Sequence, residues 1–265
     1  MPIHPTAVID PRAALHPEAE IGPFVVIEGP VQVGPRTRVL AHVTLMGRTQ
    51  IGADNVIHMG AVIGDTPQDM AFKDEDTYVR IGDGNTIREH VQIHRGTKPD
   101  SGTVIGDNNY LMTNAHVGHN CRLGDNIIMA TGAVLGGYVE VEDQVFVSGN
   151  CVVHQFVRIG RLSILRGLSR TSRDVPPFCI MDWTHTVRAI NRVGLRRAGF
   201  DAGRIRALQN AFSRLFRRSG NLSTALAEIE SGPCSPDVRY LIDFIRASKR
   251  GVCTGPRFRS EQEET

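Results

Sequence analysis

A branched aliphatic residue recurs every six positions through most of this 265-residue chain. The series runs from Ile3 to Ile63, returns between Ile81 and Ile93, and resumes from Ile105 to Leu165. A period of six does not fit the 3.6-residue turn of an α-helix, but it is a multiple of the two-residue period of a β-strand. The repeat therefore predicts a short strand and a tight corner in each hexad, with three hexads closing one triangular coil of a parallel β-helix.

Two other positions of the six-residue repeat support this architecture. The position four residues after each aliphatic is usually small or β-branched, as at Ala7, Ala61 and Ala115. The residue directly after the aliphatic is often one of the 27 glycines, and glycine tolerates the backbone of a sharp turn. With only 6% aromatic residues, the predicted core consists of stacked aliphatic side chains.

Breaks in the repeat define the predicted domains. Two polar, turn-rich segments leave the phase, at about residues 65–79 and 96–103, and we interpret them as loops that emerge from corners of the prism. Such loops commonly bind ligands, although tolerated surface insertions are the alternative. The predicted solenoid covers residues 1–178. A helical period of three and four follows, which predicts a small helical domain over 187–251 and a polar tail over 252–265.

Composition limits the classes of partner. A net charge of +2 gives no general case for nucleic acid, and no apolar run is long enough to span a membrane. The first residues lack the features of a signal peptide. Five cysteines without CxxC spacing indicate reduced thiols and a cytoplasmic protein. Arginines are concentrated in the helical region, which is either a solvated face or a docking surface for an acidic partner or a phosphate group.

Two histidines three positions apart, His116 and His119, interrupt the aliphatic repeat near its middle. Hexads that differ by eighteen residues stack vertically, so His119, Gly137 and the pair His154–Gln155 should lie along one edge of the prism. A neutral imidazole accepts a proton from a hydroxyl near pH 7, and a backbone N–H such as that of Gly137 suits a developing oxyanion. The alternative is inert surface histidines.

Several motifs resemble one enzyme family. They are Pro67-Gln68-Asp69, Ile93-His94-Arg95-Gly96-Thr97, Asn114-Ala115-His116 with Gly118-His119, Val153-His154-Gln155-Phe156, Asp174-Val175-Pro176-Pro177 and Gly194-Leu195-Arg196-Arg197-Ala198-Gly199-Phe200. Over nearly its full length the chain resembles the UDP-N-acetylglucosamine 3-O-acyltransferases that begin lipid A synthesis. The resemblance implies a left-handed coil, because the repeat alone does not set the hand and ordinary parallel crossovers are right-handed.

The resemblance also implies a role for each matching residue. His119 would be the general base that activates the sugar 3-hydroxyl for attack on an acyl carrier protein thioester, and the Gly137 N–H would stabilise the oxyanion. The remaining implied contacts are Asp69 to the sugar, His116, His154 and Gln155 along the site, Asn191 and Arg197 to the nucleotide, and Gly167 at the end of the acyl chain. Members of the family are homotrimers with sites between subunits, and acyl transfer needs no metal or other cofactor.

The chain departs from the family's usual residues at Ala71, Asn120, Tyr138 and Val193, and in the loop 182–185. Two other hypotheses therefore stay open. One is a γ-type carbonic anhydrase, in which His94, His116 and His119 would bind zinc across two subunits. The other is a paralogue that binds an acyl or nucleotide-sugar ligand without turnover.

Overall fold

The structure is a computed structural model that describes residues 3–217 and 221–255. Its solenoid is a three-sided prism whose strands pair in parallel along three sheets, apart from one antiparallel strand at its C-terminal end. Strand partners lie 18 residues apart in the regular coils, and 30 and 24 residues apart where the two loops interrupt the repeat. The hexad repeat thus predicts both the strands and their coil-to-coil register.

We name the three sides in chain order. Face A consists of Val8–Ile9, Val26–Glu28, Thr44–Met46, Val62–Asp65, Gln92–His94, His116–Val117, Val134–Leu135, Val152–Val153 and Arg170–Thr171. Face B consists of Ala14–Leu15, Gln32–Val33, Arg48–Ile51, Tyr78–Ile81, Gly102–Ile105, Arg122–Leu123, Glu140–Val141 and Arg158–Ile159. Face C consists of Glu20–Ile21, Arg38–Val39, Val56–Ile57, Thr86–Ile87, Tyr110–Leu111, Ile128–Met129, Phe146–Val147, Ile164–Leu165, Cys179–Asp182 and Thr186–Ile190.

The corners AB, BC and CA are named for the faces that they join. Beyond the first turns of the solenoid, most corner turns pass through a residue with positive φ, such as Asn120 at corner AB, Asn126 at corner BC and Asn114 at corner CA. Asparagine adopts this conformation more readily than most residues. Between corners, the aliphatic of each hexad points inward; Ile63, Ile93 and other members of the column are completely buried. The core is therefore a continuous stack along the prism axis.

Both loops emerge from the same corner. Residues 66–77 connect face A to face B, and residues 95–101 make the same connection one coil further on. Corner AB consequently carries all the irregular polar backbone of the middle coils.

A ladder of buried polar side chains runs along corner BC, and the hexad repeat does not predict it. Asn55 Oδ1 accepts from Asn85 N (2.8 Å), Asn85 Oδ1 accepts from Asn109 N (2.8 Å), and Asn109 Oδ1 accepts from Ile127 N (2.7 Å). The Asn85 amide also donates to Gly106 O at 3.0 Å. Each amide satisfies backbone groups of the next coil that would otherwise be buried without partners.

We expect Asn85→Leu to lower the free energy of unfolding by about 2–3 kcal/mol, because it leaves the buried Asn109 N–H without an acceptor. Asn108→Gly is the matched control: Asn108 is an exposed corner residue with φ near 55°. Glycine suits that backbone, so the control should change stability by less than about 0.5 kcal/mol. Denaturant unfolding of both variants measures the difference; equal losses would contradict a structural role for the ladder.

The C-terminal part differs from the predicted boundaries. The strand Thr186–Ile190 pairs antiparallel with Cys179–Asp182, so the helical region begins after it rather than at 187. Within the described residues the helices are α1 Arg192–Arg197, α2 Ala202–Phe216, α3 Leu222–Glu230 and α4 Pro236–Arg246. Their apolar sides pack on one another and on the end of the prism, as in the contact of Phe178 with Tyr240.

Residues 252–255 are not part of a polar tail, contrary to the sequence prediction. Val252 bridges to Asp174 and Thr254 bridges to Thr186, while the side chain of Cys253 is completely buried. The side chains of Val252 and Cys253 both belong to the continuous hydrophobic core, which is why this segment is ordered against the prism. The rest of the predicted tail, residues 256–265, lies outside the described residues. None of the described helices has the length and apolarity needed to cross a membrane.

Candidate active site

His119 and Gly137 lie one above the other at corner AB, as the phase count predicts. Tyr138 N donates to His119 O at 2.8 Å, and Phe156 N donates to Gly137 O at 3.0 Å. These bonds tie three successive coils together at this corner. Phe156 directly follows His154 and Gln155, both of which are exposed. The corner therefore presents imidazole, backbone and amide groups in one column.

The imidazole of His119 rests directly on the glycine of the next coil. The side chain is only 6% exposed. A Cβ at position 137 would overlap the Cε1 and Nε2 atoms of the ring, so this contact requires glycine. The Gly137 N–H makes no hydrogen bond to another residue in the described parts of the chain. The His119 ring thus packs on a glycine whose backbone N–H is left for another partner.

The other edge of the ring faces the second loop. His119 Nδ1 lies 3.0 Å from Asn120 Oδ1, which also accepts from Thr97 N at 3.0 Å. Thr97 Oγ1 is 2.8 Å from the Tyr138 hydroxyl, and Tyr138 packs its ring edge against His119. Tyr138 in turn stacks on Phe156 with ring centroids 4.8 Å apart. Asn120 and Tyr138, two departures from the family's usual residues, therefore hold His119 in place.

His116 lies on face A, on the strand that leads into the corner. Its Nδ1 is 3.3 Å from Gln92 Oε1, and its ring lies 5.1 Å from that of His94. The His94 Nδ1 is 2.8 Å from Thr66 O in the first loop. Burial, together with the nearby imidazoles of His94 and His119, lowers the pKa of His116 to about 4. His116 is therefore neutral near pH 7.

This lowered pKa predicts a pH dependence of stability. Because the folded-state pKa is near 4 and the ordinary value is 6.5, the unfolded chain binds a proton that folded His116 does not bind as pH falls between these values. The free energy of unfolding should decrease across that window. A His116→Gln variant, compared with wild type by denaturant unfolding at pH 7 and pH 4.5, should lose less stability. An identical loss in both proteins would contradict the assignment.

Asp69 lies in the first loop and is half-buried. Its Oδ1 accepts from Ala71 N at 2.9 Å, which closes a tight turn and leaves Oδ2 for other contacts. The side chain of Ala71 offers no charge at this position. The loop is anchored below by Arg95, whose guanidinium covers the Phe72 ring and lies 3.4 Å from Asp74.

Three predicted site residues lie elsewhere in the same chain. Gly167 is exposed at corner CA, above Gly149. Asn191 is 4% exposed and caps α1: its Oδ1 accepts from Gly194 N, and its Nδ2 donates to Leu162 O at corner BC. Arg197 is exposed near the end of α1, and its side chain has no hydrogen bond or ion pair with the described residues. One chain therefore does not bring these residues to His119.

The structure adds residues that sequence reasoning missed. Thr97 and Ser101, from the second loop, contact Asn120, and only the position of that loop at corner AB indicated them. Arg250 follows the last helix and anchors to Ser172 O at 2.9 Å; its Nη2 lies 3.4 Å from His154 Nδ1. No periodic signal links position 250 to the solenoid.

The fold and the stacked His–Gly corner define a hexapeptide-repeat acyltransferase. Residues 102–137 match the family model described as bacterial transferase hexapeptide (six repeats), and residues 174–253 match the second domain of UDP N-acetylglucosamine O-acyltransferase. An acyl-[acyl-carrier-protein]–UDP-N-acetylglucosamine O-acyltransferase from Gloeothece citriformis is 44% identical, with 93% of this chain and 90% of the relative covered. One of that name from Xanthomonas euvesicatoria is 46% identical, covering 94% and 96%.

Solved structures agree with this result. The UDP-N-acetylglucosamine acyltransferase of Francisella novicida superimposes with a TM-score of 0.92 at 34% identity, covering 96% of this chain and 94% of the other. The chain belongs to the UDP-N-acetylglucosamine O-acyltransferase family. This confirms the predicted fold, a left-handed parallel β-helix with a small helical domain. The comparisons do not support the carbonic anhydrase alternative.

Proposed function

We propose that this protein transfers an acyl chain from an acyl carrier protein thioester to the 3-hydroxyl of UDP-N-acetylglucosamine, with His119 as the general base. One observation carries the proposal: the His119 ring is held at one edge by Asn120 and is packed against the Gly137 backbone at the other. Family membership supports the substrates, because the relatives are named for this pair.

The residues at corner AB can account for every proton and bond of the proposed transfer. His119 accepts the hydroxyl proton as the sugar oxygen bonds to the thioester carbonyl carbon, and the carbonyl oxygen becomes an oxyanion near the Gly137 N–H. The C–S bond then breaks, and the leaving thiolate takes the proton from the imidazolium. We assign Asp69 to the sugar and His116, His154 and Gln155 to the walls of the site, since all four belong to face A or corner AB.

We expect His119→Ala to reduce kcat by about 10²–10⁴-fold, the usual contribution of a positioned base. His16→Ala is the matched control, because His16 is exposed on an early coil and should leave kcat unchanged. Transfer from several hydroxyacyl-carrier donors to UDP-N-acetylglucosamine measures the effect. A wild-type protein that binds the nucleotide sugar but transfers no acyl group would instead favour the non-catalytic paralogue.

We further propose a homotrimer with a site between subunits. Exposed apolar side chains are concentrated on faces A and C and on the corner between them, including Val26, Val152, Ile128 and Leu168. If face A of one copy packs on face C of the next around a three-fold axis, corner AB of the first meets corner BC of the second. His119 of one copy then lies beside Asn191 and α1 of another.

Subunit mixing tests this arrangement. His119→Ala and Arg197→Glu should each inactivate the protein, the first at the base and the second at the proposed nucleotide contact. After denaturation and refolding as a one-to-one mixture, about one quarter of the sites should combine an intact base with an intact arginine from a neighbouring copy. Activity near that fraction supports the shared site. If both residues act within one chain, the mixture stays inactive.

The helical domain supports an acidic carrier protein as the partner. Arg204 and Arg214 pair with Asp237 and Glu228, whereas Arg192, Arg196 and Arg206 are exposed and have no ion pair among the described residues. These unpaired guanidinium groups suit a negatively charged partner and its phosphate. We also propose a cytoplasmic location, which fits five free cysteines, four of them buried.

A further inference from the structure

We propose that Ser101 is a positioning residue for the base: it fixes the orientation of the Asn120 amide and thereby the tautomer of His119. The inference rests on the proposed function of His119 but concerns a property of the ring that can be measured without turnover. The question arises because a neutral amide stands next to the base, and an amide, unlike a carboxylate, has two chemically different ends.

The first constraint on the amide comes from the backbone. Thr97 N lies 3.0 Å from Asn120 Oδ1, and a backbone N–H can only donate. If the amide were flipped, its NH₂ group would face this donor. The oxygen therefore belongs on the side of Thr97 and His119.

The second constraint comes from Ser101, at the opposite end of the amide. Ser101 Oγ donates to Lys98 O at 2.7 Å and accepts from Lys98 N at 3.0 Å. Its single hydrogen is thus committed to the turn, and it can only accept from Asn120 Nδ2 at 2.8 Å. Ser101 accordingly requires the NH₂ group on its own side, in agreement with the constraint from Thr97.

The orientation of the amide determines the protonation of the ring. Since Asn120 Oδ1 accepts, His119 Nδ1, 3.0 Å away, must carry the imidazole hydrogen. The lone pair then lies on Nε2, the atom packed over Gly137. A flipped amide would reverse this tautomer and place an N–H where the base needs a lone pair, and a wrong tautomer disables an otherwise intact histidine base.

Tyr138 is the first donor in a chain of hydrogen bonds that ends at Asn120 Oδ1. Its hydroxyl lies 2.8 Å from Thr97 Oγ1, which lies 3.0 Å from Asn120 Oδ1. When Thr97 donates to the amide oxygen, Tyr138 donates to Thr97, so every hydrogen points toward Oδ1. The Thr97 hydroxyl does not by itself select the tautomer, because it can donate to the amide oxygen or accept from a flipped NH₂ group.

A double-mutant cycle tests the positioning role. Ser101→Ala should lower kcat/KM by about 10-fold in the Asn120 background, because the amide loses the acceptor of its NH₂ group and keeps only the Thr97 backbone N–H as a fixed constraint on its orientation. In the Asn120→Asp background it should cost less than about 3-fold or restore activity, since a carboxylate has two equivalent acceptor ends and gains nothing from Ser101 Oγ. Equal losses in both backgrounds would overturn the proposal and reduce Ser101 to a turn residue.

The tautomer itself supplies a readout that is independent of the reaction. Solid-state ¹⁵N NMR of histidine-labelled protein, with His119→Gln for assignment, should show a protonated Nδ1 in wild type and a mixture of tautomers in Ser101→Ala. Thr97→Val is the matched control: it removes a hydroxyl from the same oxygen but should leave the tautomer unchanged. An Nε2–H tautomer in wild type, or no change in Ser101→Ala, overturns the proposal. Absence of transfer activity with the expected tautomer contradicts only the proposed function.

Discussion

The coil-to-coil hydrogen bond is the interaction on which the rest of this molecule depends. Each regular coil advances by 18 residues, so a group at any corner lies directly above its equivalent one coil earlier. The bond from Tyr138 N to His119 O, and the next from Phe156 N to Gly137 O, are ordinary members of this ladder. They also set the spacing of the candidate site. The regular backbone therefore brings His119 to the level of Gly137, and the second loop then fixes the side chain through Asn120.

This regularity explains what the sequence predicts well. The period of six predicts the inward-facing aliphatic residues, and the same count places His119 and Gly137 in one column from the sequence alone. The prediction succeeds because both residues lie in coils without insertions. Asp69 is different: the loop 66–77 leaves the repeat, so phase counting gives its corner but not its contacts.

The other structural features that the sequence did not predict have a common cause. Asn55, Asn85 and Asn109 occupy positions that usually hold small apolar residues, and their value appears only when the backbone groups of the adjacent coil are known. Val252 and Cys253 read as the start of a tail because their partner, Asp174, is far away in sequence. The helical domain starts later than predicted for the same reason, because Thr186–Ile190 forms a strand with Cys179–Asp182. Long-range pairing, rather than local propensity, decides each case.

The proposed chemistry at corner AB depends on Asn120, a neutral residue at a position where the family usually has a carboxylate. A carboxylate at position 120 would stabilise an imidazolium by charge, whereas Asn120 offers only a hydrogen bond. The second loop makes that bond specific, since Thr97 and Ser101 accept only one orientation of the amide. In the proposed transfer, a less stabilised imidazolium would return its proton to the leaving thiolate more readily, while the fixed tautomer would keep Nε2 available for the hydroxyl. The loop and the asparagine thus form one unit, and replacing either alone removes the benefit of the other.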